Sequence, residues 1–143
     1  MKRLGVFFGA AAFALTGCAT LQEPQPQRMS LQCSRGQEAR TTAQLFFGRN
    51  IGDRPGVSDA DFTRFVDTEL TSRFPDGLTV LDGGGQWRGP SDNLVRESSK
   101  VVLLVLPKVP DAHSRVEAVR TAYKTRFRQD SVLLITQRSC VSF

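Results

Sequence analysis

Four side chains in the sequence belong to types that bind or convert ligands, namely Trp87, Glu97, Tyr123 and Arg126. Trp87 could stack on a ring-shaped ligand such as a sugar, although a lone Trp in a small domain more often contributes packing. Tyr123 and Arg126 lie three residues apart on one face of a predicted helix and could orient an anion. The alternative is a Tyr in the core with the Arg stem packed beside it. Glu97 could supply acid–base chemistry, so all four are candidate ligand-facing residues.

Other kinds of catalytic site find no support in the sequence. The single His, His113, stands at the predicted start of a helix and is interpreted as a solvated residue there. No group of His, Cys and carboxylate residues has metal-ligand spacing, and neither a G-x-S-x-G motif nor a P-loop occurs. The run from Gly83 to Gly85 lacks the Lys of a phosphate-binding loop and is interpreted as a bulge or flexible turn. The sequence therefore predicts no metal, no cofactor and no catalytic residue, and it favours a protein that is not an enzyme.

The N-terminal residues have the pattern of an export signal. Met1-Lys2-Arg3 is basic, residues 4–15 are apolar, and Leu15-Thr16-Gly17-Cys18 follows directly. Small residues before a Cys resemble the lipobox of bacterial lipoproteins, in which cleavage leaves the Cys as a new N-terminus that carries acyl chains such as palmitate. Residues 1–17 are predicted to be a lipoprotein signal peptide and Cys18 to be lipidated, because two or more acyl chains hold a protein stably at a membrane. The alternative is an ordinary cleaved signal in which the Cys is incidental.

The residues after Cys18 indicate where the protein is held. Ala19 in place of Asp resembles the signal for transfer to the outer membrane of Gram-negative bacteria. Residues 18–32 include a Pro- and Gln-rich stretch without apolar periodicity, which is typical of a tether. We expect an outer-membrane lipoprotein that faces the periplasm, with a folded domain over residues 33–143.

The charge of the chain does not point to a nucleic-acid partner. The 143 residues carry a formal net charge of +5, but Lys2 and Arg3 belong to the predicted signal. Basic and acidic residues are interspersed without a block of like charge, and export argues against a genomic partner. The expected partner is a membrane, which the protein contacts through its lipid anchor.

The pattern of residues 33–143 predicts the order strand, helix, strand, strand, helix, strand. Ser58 and Asp61 form a pair typical of a helix start, and Pro75-Asp76-Gly77 ends the same helix. This order is the βαββαβ, or ferredoxin-like, pattern. It is an α+β fold with an antiparallel sheet in the order 4-1-3-2 and both helices on one face. The predicted strands lie at residues 43–48, 78–81, 96–106 and 131–143, and the predicted helices at 58–74 and 112–129.

The two Cys that remain after lipidation are predicted to pair. In the expected sheet order, the end of the fourth strand lies beside the start of the first, which places Cys140 near Cys33. Two Cys in an exported domain are most simply joined by a disulfide. The alternative is two buried free thiols.

One face of the predicted sheet is unusually apolar. A sheet with helices on one side and water on the other should alternate apolar and polar residues, yet residues 101–106 and 132–135 are apolar on both faces. The second face is therefore predicted to be covered. One hypothesis is a homodimer in which two sheets pack face to face, and the other is a ligand groove roofed by the Gly-rich residues 82–90.

Several segments together resemble a known family. They are Phe74–Val80, Gly85–Trp87, Glu97–Lys100 and Tyr123–Val132. They look like the bacterial domain-of-unknown-function family number 3574, found in small exported proteins and lipoproteins, with a similarity over roughly residues 40 to 143. The resemblance implies an envelope location and assigns no activity.

The sequence thus predicts a lipid-anchored envelope protein whose periplasmic domain is a binding or structural module for an unidentified ligand. The alternative is a small cofactor-free enzyme with a pocket on the open sheet face, in which Tyr123, Arg126 and Glu97 would hold an anion or transfer protons.

Overall fold

A computed structural model describes residues 31–51, 54–89 and 91–143 of the chain. The predicted signal peptide over residues 1–17, the predicted lipidation at Cys18 and most of the predicted tether lie outside these residues. Among the described residues, no helix is both long and apolar enough to cross a membrane.

The described chain forms six strands and two α-helices. The first helix begins where Ser58 accepts a hydrogen bond from the backbone N–H of Asp61 at 3.1 Å, as the sequence pair predicts. It continues into a π-helical turn over Val66–Leu70. The strands are β1 (Glu38–Gly48), β2 (Asn50–Ile51), β3 (Arg54–Pro55), β4 (Thr79–Arg88), β5 (Leu94–Val105) and β6 (Leu133–Val141), and the helices are α1 (Asp59–Phe65) and α2 (Ala112–Phe127).

Four of the strands form one antiparallel sheet, in the order β4-β5-β1-β6. The prediction of a mixed α+β fold with two helices and a four-stranded antiparallel sheet is confirmed. Strands β2 and β3 form a separate two-stranded hairpin that the sequence analysis did not predict.

The two helices pack on one side of this sheet, here called the helix face. Leu45 on β1 and Val102 on β5 are paired there and fully buried. An aromatic cluster fills the space beneath the helices, in which the Phe47 and Tyr123 ring centroids lie 4.7 Å apart and those of Phe65 and Tyr123 lie 5.0 Å apart. Phe62 and Phe65 of the first helix are buried in this core, because they face the sheet at helical spacing.

Strand β4 differs most from the prediction. The sequence pattern predicts a short strand over residues 78–81 with a Gly-rich bulge or flexible turn after it, and leaves open that the strand continues past a bulge at residues 86–88. The structure instead has a continuous ten-residue strand. Gly83, Gly84 and Gly85 are each paired with a residue of β5 in unbroken register. Pairing with the long neighbouring strand outweighs the low strand propensity of Gly. The Gly-rich residues therefore do not form a roof over the sheet.

The predicted disulfide is present. Cys33 and Cys140 are bonded, with their Cα atoms 5.4 Å apart. Cys140 lies on β6 opposite Ala39 of β1, so the bridge ties the residues before β1 to the C-terminal strand.

Candidate functional site

The side of the sheet away from the helices, here called the open face, has no protein layer over it within the described chain. Leu81, Leu103, Leu133 and Ile135 lie on it and are exposed, Leu133 at 56%. The predicted apolar second face is thus present and uncovered in the single chain. Exposed apolar side chains grouped on one face are typical of an interaction surface.

A groove opens at one end of the open face because β4 lacks side chains there. Successive open-face positions of β4 are Leu81, Gly83, Gly85 and Trp87. The two Gly positions leave a gap between two large apolar side chains, so the neighbouring strand is uncovered at this point. Replacement of Gly83 would close part of the gap, since a Cβ there would lie 2.9 Å from the Ser99 hydroxyl.

The groove has a volume of about 630 Å³, which is in the range of small-molecule sites. Both polar and apolar side chains line the groove. Trp87, 52% exposed, stands at the rim beside Val95, and the loop after α2 forms the opposite wall. The lining side chains also include Phe46, Glu97, Ser99, Arg128, Gln129, Asp130 and Leu133.

Glu97 is the partly buried anionic group of the groove. It lies opposite Gly85 on β5, and its Oε1 accepts a hydrogen bond from the backbone N–H of Asn50 at 2.8 Å. A hydrogen bond to a charged group is worth about 1.5–3 kcal/mol. The carboxylate also lies over Gly48, where a Cβ would come within 2.6 Å of Oε1. Gly48 is therefore required for this position of the carboxylate.

Side chains from α2 and the loop after it hold the backbone that supports Glu97. The Tyr123 hydroxyl donates to the Gly48 carbonyl at 2.7 Å, and the Gln129 side-chain amide donates to the Asn50 carbonyl. These contacts come from the helix side, whereas the Asn50 N–H points to Glu97. The helix layer thus fixes a short backbone segment that in turn orients the carboxylate in the groove.

Of the four candidate ligand-facing residues, the structure brings Trp87 and Glu97 together. Tyr123 is fully buried in the core, and burial raises the pKa of its phenol. A ligand in the groove therefore does not reach it. Arg126 is exposed on α2, where its guanidinium lies 5.4 Å from the centroid of the Phe127 ring. Tyr123 acts on the site through Gly48 and not by contact.

Lys100 lies on the opposite face of the sheet from Glu97, as strand alternation predicts. Its ammonium contacts Asp59 at 2.8 Å and also Asp82, and its side chain is only 12% exposed. The hydrogen bond from Lys100 holds the pKa of Asp59 below its ordinary value, and those two carboxylates raise the pKa of Lys100. These ion pairs join the start of α1 to the sheet and are separate from the groove.

Sequence reasoning did not find Gly48, Asn50 or Gln129. In the predicted elements Gly48 ends the first strand, Asn50 follows that strand and Gln129 ends the second helix, and no local pattern connects them to Glu97. Their contacts span 47 and 79 residues along the chain. Within the described ranges, no cluster of three or more His, Cys, Asp or Glu residues is placed to hold a metal ion.

The sequence matches the family described as "Protein of unknown function (DUF3574)" over residues 42–143. No curated protein matches it. The fold is similar to that of a phage SAM lyase. The complex of that lyase with S-methyl-5'-thioadenosine aligns with a TM-score of 0.57 and 20% identity, over 79% of this chain and 95% of the lyase chain. Its apo state aligns with a TM-score of 0.58 and 21% identity, over 80% and 97% of the two chains.

Proposed function

The chain belongs to the family described as Protein of unknown function (DUF3574), and from that premise we propose that its domain binds a small molecule in the open-face groove while a lipid at Cys18 holds it at a membrane. The observation that carries this proposal is the groove beside Trp87, where β4 has no side chain at Gly85 and Glu97 lies opposite it. Glu97 and Ser99 give the groove polar groups beside the exposed Leu133 of the same face. The strand order and the single helix layer also support a ferredoxin-like classification.

Trp87 offers a direct test of binding, because it is the single Trp of the chain and stands at the rim of the groove. The full-length chain in detergent is titrated with S-methyl-5'-thioadenosine, the ligand of the similar phage lyase. We expect a saturable change in Trp fluorescence. Gly85→Leu, which fills the gap, should abolish the change, whereas His113→Gln, an exposed site on α2, should leave it intact. A fluorescence response that survives in Gly85→Leu would refute the groove as the site.

The lipid anchor is supported by the apolar residues 4–15 and by the Leu15-Thr16-Gly17-Cys18 pattern. Metabolic labelling with a palmitate analogue tests it. We expect label on the wild-type protein and none on Cys18→Ala, and we expect only the wild type in the outer-membrane fraction. Equal labelling of both proteins would refute lipidation at Cys18.

A second copy of the chain is proposed to cover the apolar remainder of the open face. The support is the exposure of Leu81, Leu103 and Ile135 in a region without charged side chains, which lies between Arg40 at one end of the face and Glu97 at the other. Packing of two such faces would remove these side chains from water and leave the ends of each sheet free.

A cofactor-free enzyme is the second candidate function, and the fold similarity to the phage SAM lyase favours it. In that case Glu97, which lies in the groove, is the side chain placed to act on the substrate. Incubation of the full-length chain with SAM tests this candidate, with S-methyl-5'-thioadenosine measured by chromatography. Release that is lost in Glu97→Gln would support an enzyme. The absence of release, together with saturable binding, would support a binding module.

A further inference from the structure

Glu97 differs from the other partly buried carboxylates of the protein. Glu38, Asp61 and Glu69 each form an ion pair, with Arg40 at 2.6 Å, Arg64 at 3.6 Å and Arg73 at 2.7 Å respectively. Glu97 is also partly buried, yet no cation of the described residues lies within 4.0 Å of it.

None of the nearby Arg residues forms an ion pair with Glu97, because each contacts other groups, lies on the other face of the sheet or is exposed to solvent. Arg49 donates to the Val57 carbonyl at 2.8 Å and pairs with Asp59 at 3.1 Å. Arg96 lies on the other face of the sheet from Glu97 because it is adjacent in the strand. Arg128 lines the groove but is exposed at the end of α2. The Glu97 carboxylate therefore lies in the groove without an ion pair to any of these three Arg residues.

The carboxylate is also fixed in position. One of its oxygens accepts the Asn50 N–H at 2.8 Å, and Gly48 leaves the space that it occupies. Its second oxygen has no hydrogen-bond donor within the described chain. A partly desolvated carboxylate with an unused oxygen favours a cationic partner, because the Coulomb attraction increases as water is excluded.

Trp87 lies on the same face at a diagonal position. It is paired with Val95, two residues before Glu97 on the same strand. Diagonal neighbours of this kind are about 7–8 Å apart, which suits a compact ligand with a ring on the Trp and a charge at the carboxylate.

We propose that the groove selects small organic cations that carry a planar ring, with the cation bound to Glu97 and the ring against Trp87. This inference rests on the proposed function, since it names the class of ligand that the groove takes. Asp130 at the rim and Arg128 on the wall have opposite charges, so Glu97 determines the preferred charge of the ligand at the floor.

Three ring-bearing probes of similar size but different charge test the proposal. They are benzyltrimethylammonium, benzyl alcohol and phenylacetate. The full-length chain in detergent is titrated with each at constant ionic strength, and Trp87 fluorescence is measured. We expect the cation to bind about tenfold more tightly than the alcohol, and phenylacetate to bind most weakly.

Glu97→Gln removes the charge and keeps an oxygen that can accept the Asn50 N–H, so it should bind all three probes about equally. Asp130→Asn is the matched control, because it removes one negative charge from the exposed rim of the same groove. It should keep the preference for the cation. Gly48→Ala should weaken the preference, since its methyl group would displace the carboxylate, which is the mobile end of a side chain.

The outcomes separate this inference from the proposed function. Equal binding of the three probes to the wild type, or an unchanged preference for the cation in Glu97→Gln, would overturn the inference and leave the groove as a binding site. If Trp87 responds to none of the probes, the inference is overturned, whereas the groove as a ligand site is decided by the titration with S-methyl-5'-thioadenosine.

Discussion

Removal of the Cys33–Cys140 bridge should lower the free energy of unfolding by about 5 kcal/mol. The two Cys are 107 residues apart, so the bridge closes almost the whole domain in the unfolded chain. In the chain-entropy description, a loop of about 100 residues loses enough entropy on closure to contribute about 4.7 kcal/mol. Domains of this size are stable by about 5–15 kcal/mol, so the bridge is a large part of the total.

The measurement is urea unfolding of the full-length chain in detergent, followed by Trp87 fluorescence and circular dichroism. The double variant Cys33→Ser/Cys140→Ser is compared with the wild type. For an m-value of about 1.5–2 kcal/mol/M, the midpoint should fall by about 2–3 M. Reduced wild type should behave like the double variant, and reductant should have no effect on the double variant itself.

A midpoint shift below about 0.5 M would contradict the reasoning, because it would mean that the bridge constrains the unfolded chain very little. A shift in the double variant without a matching shift on reduction of the wild type would mean that the Ser substitutions, and not the loss of the bridge, destabilise the domain.

Tyr123→Phe should lower the free energy of unfolding by about 1–2 kcal/mol in urea, since it leaves the Gly48 carbonyl without its buried donor; an unchanged value would mean that this hydrogen bond is replaced. Burial raises the pKa of Tyr123 in the folded state, so the unfolded chain loses this proton first and the free energy of unfolding of the wild type falls as the pH rises above 10. Tyr123→Phe has no such proton, so its free energy of unfolding should fall less between neutral and alkaline pH. The hydrogen bond from Lys100 lowers the pKa of Asp59 from its ordinary 3.8, so the Asp59 carboxylate stabilises the fold above that pH and less so below it. In Asp59→Asn the melting temperature should therefore fall less than in the wild type as the pH is lowered through this range. An equal fall in both proteins would contradict this. Leu103→Lys places a charge in the exposed apolar face and should convert a dimer to a monomer by light scattering, whereas a wild type that is already monomeric would refute the dimer.

Local signals in the sequence predicted much of the fold. The Ser58–Asp61 cap lies where predicted, because a capping pair satisfies backbone donors within one helical turn. The second helix ends within two residues of its predicted end, since its apolar spacing is regular. The Cys33–Cys140 bond was predicted from the expected export of the domain together with the strand order, and it is present.

Other elements depend on contacts that are distant in sequence. Gly83–Gly85 were interpreted as a bulge or flexible turn, but β5 pairs with each of them in unbroken register up to Arg88. The first helix was predicted over residues 58–74, yet the α-helix ends at Phe65 and a π-helical turn follows over Val66–Leu70. Neither result follows from the propensities of the residues concerned, because tertiary pairing and packing outweigh them.

By itself the sequence determined the fold class, the disulfide and the family, since each follows from local periodicity, from residue type or from similarity along the chain. Only the tertiary structure decided that a glycine gap on β4 opens a groove, that Trp87 and Glu97 share it, and that Tyr123 supports it from the opposite side of the sheet. The physical reason is that strand register and face are set by pairing between residues far apart in the chain, and a single-residue change in register would move Glu97 to the helix face.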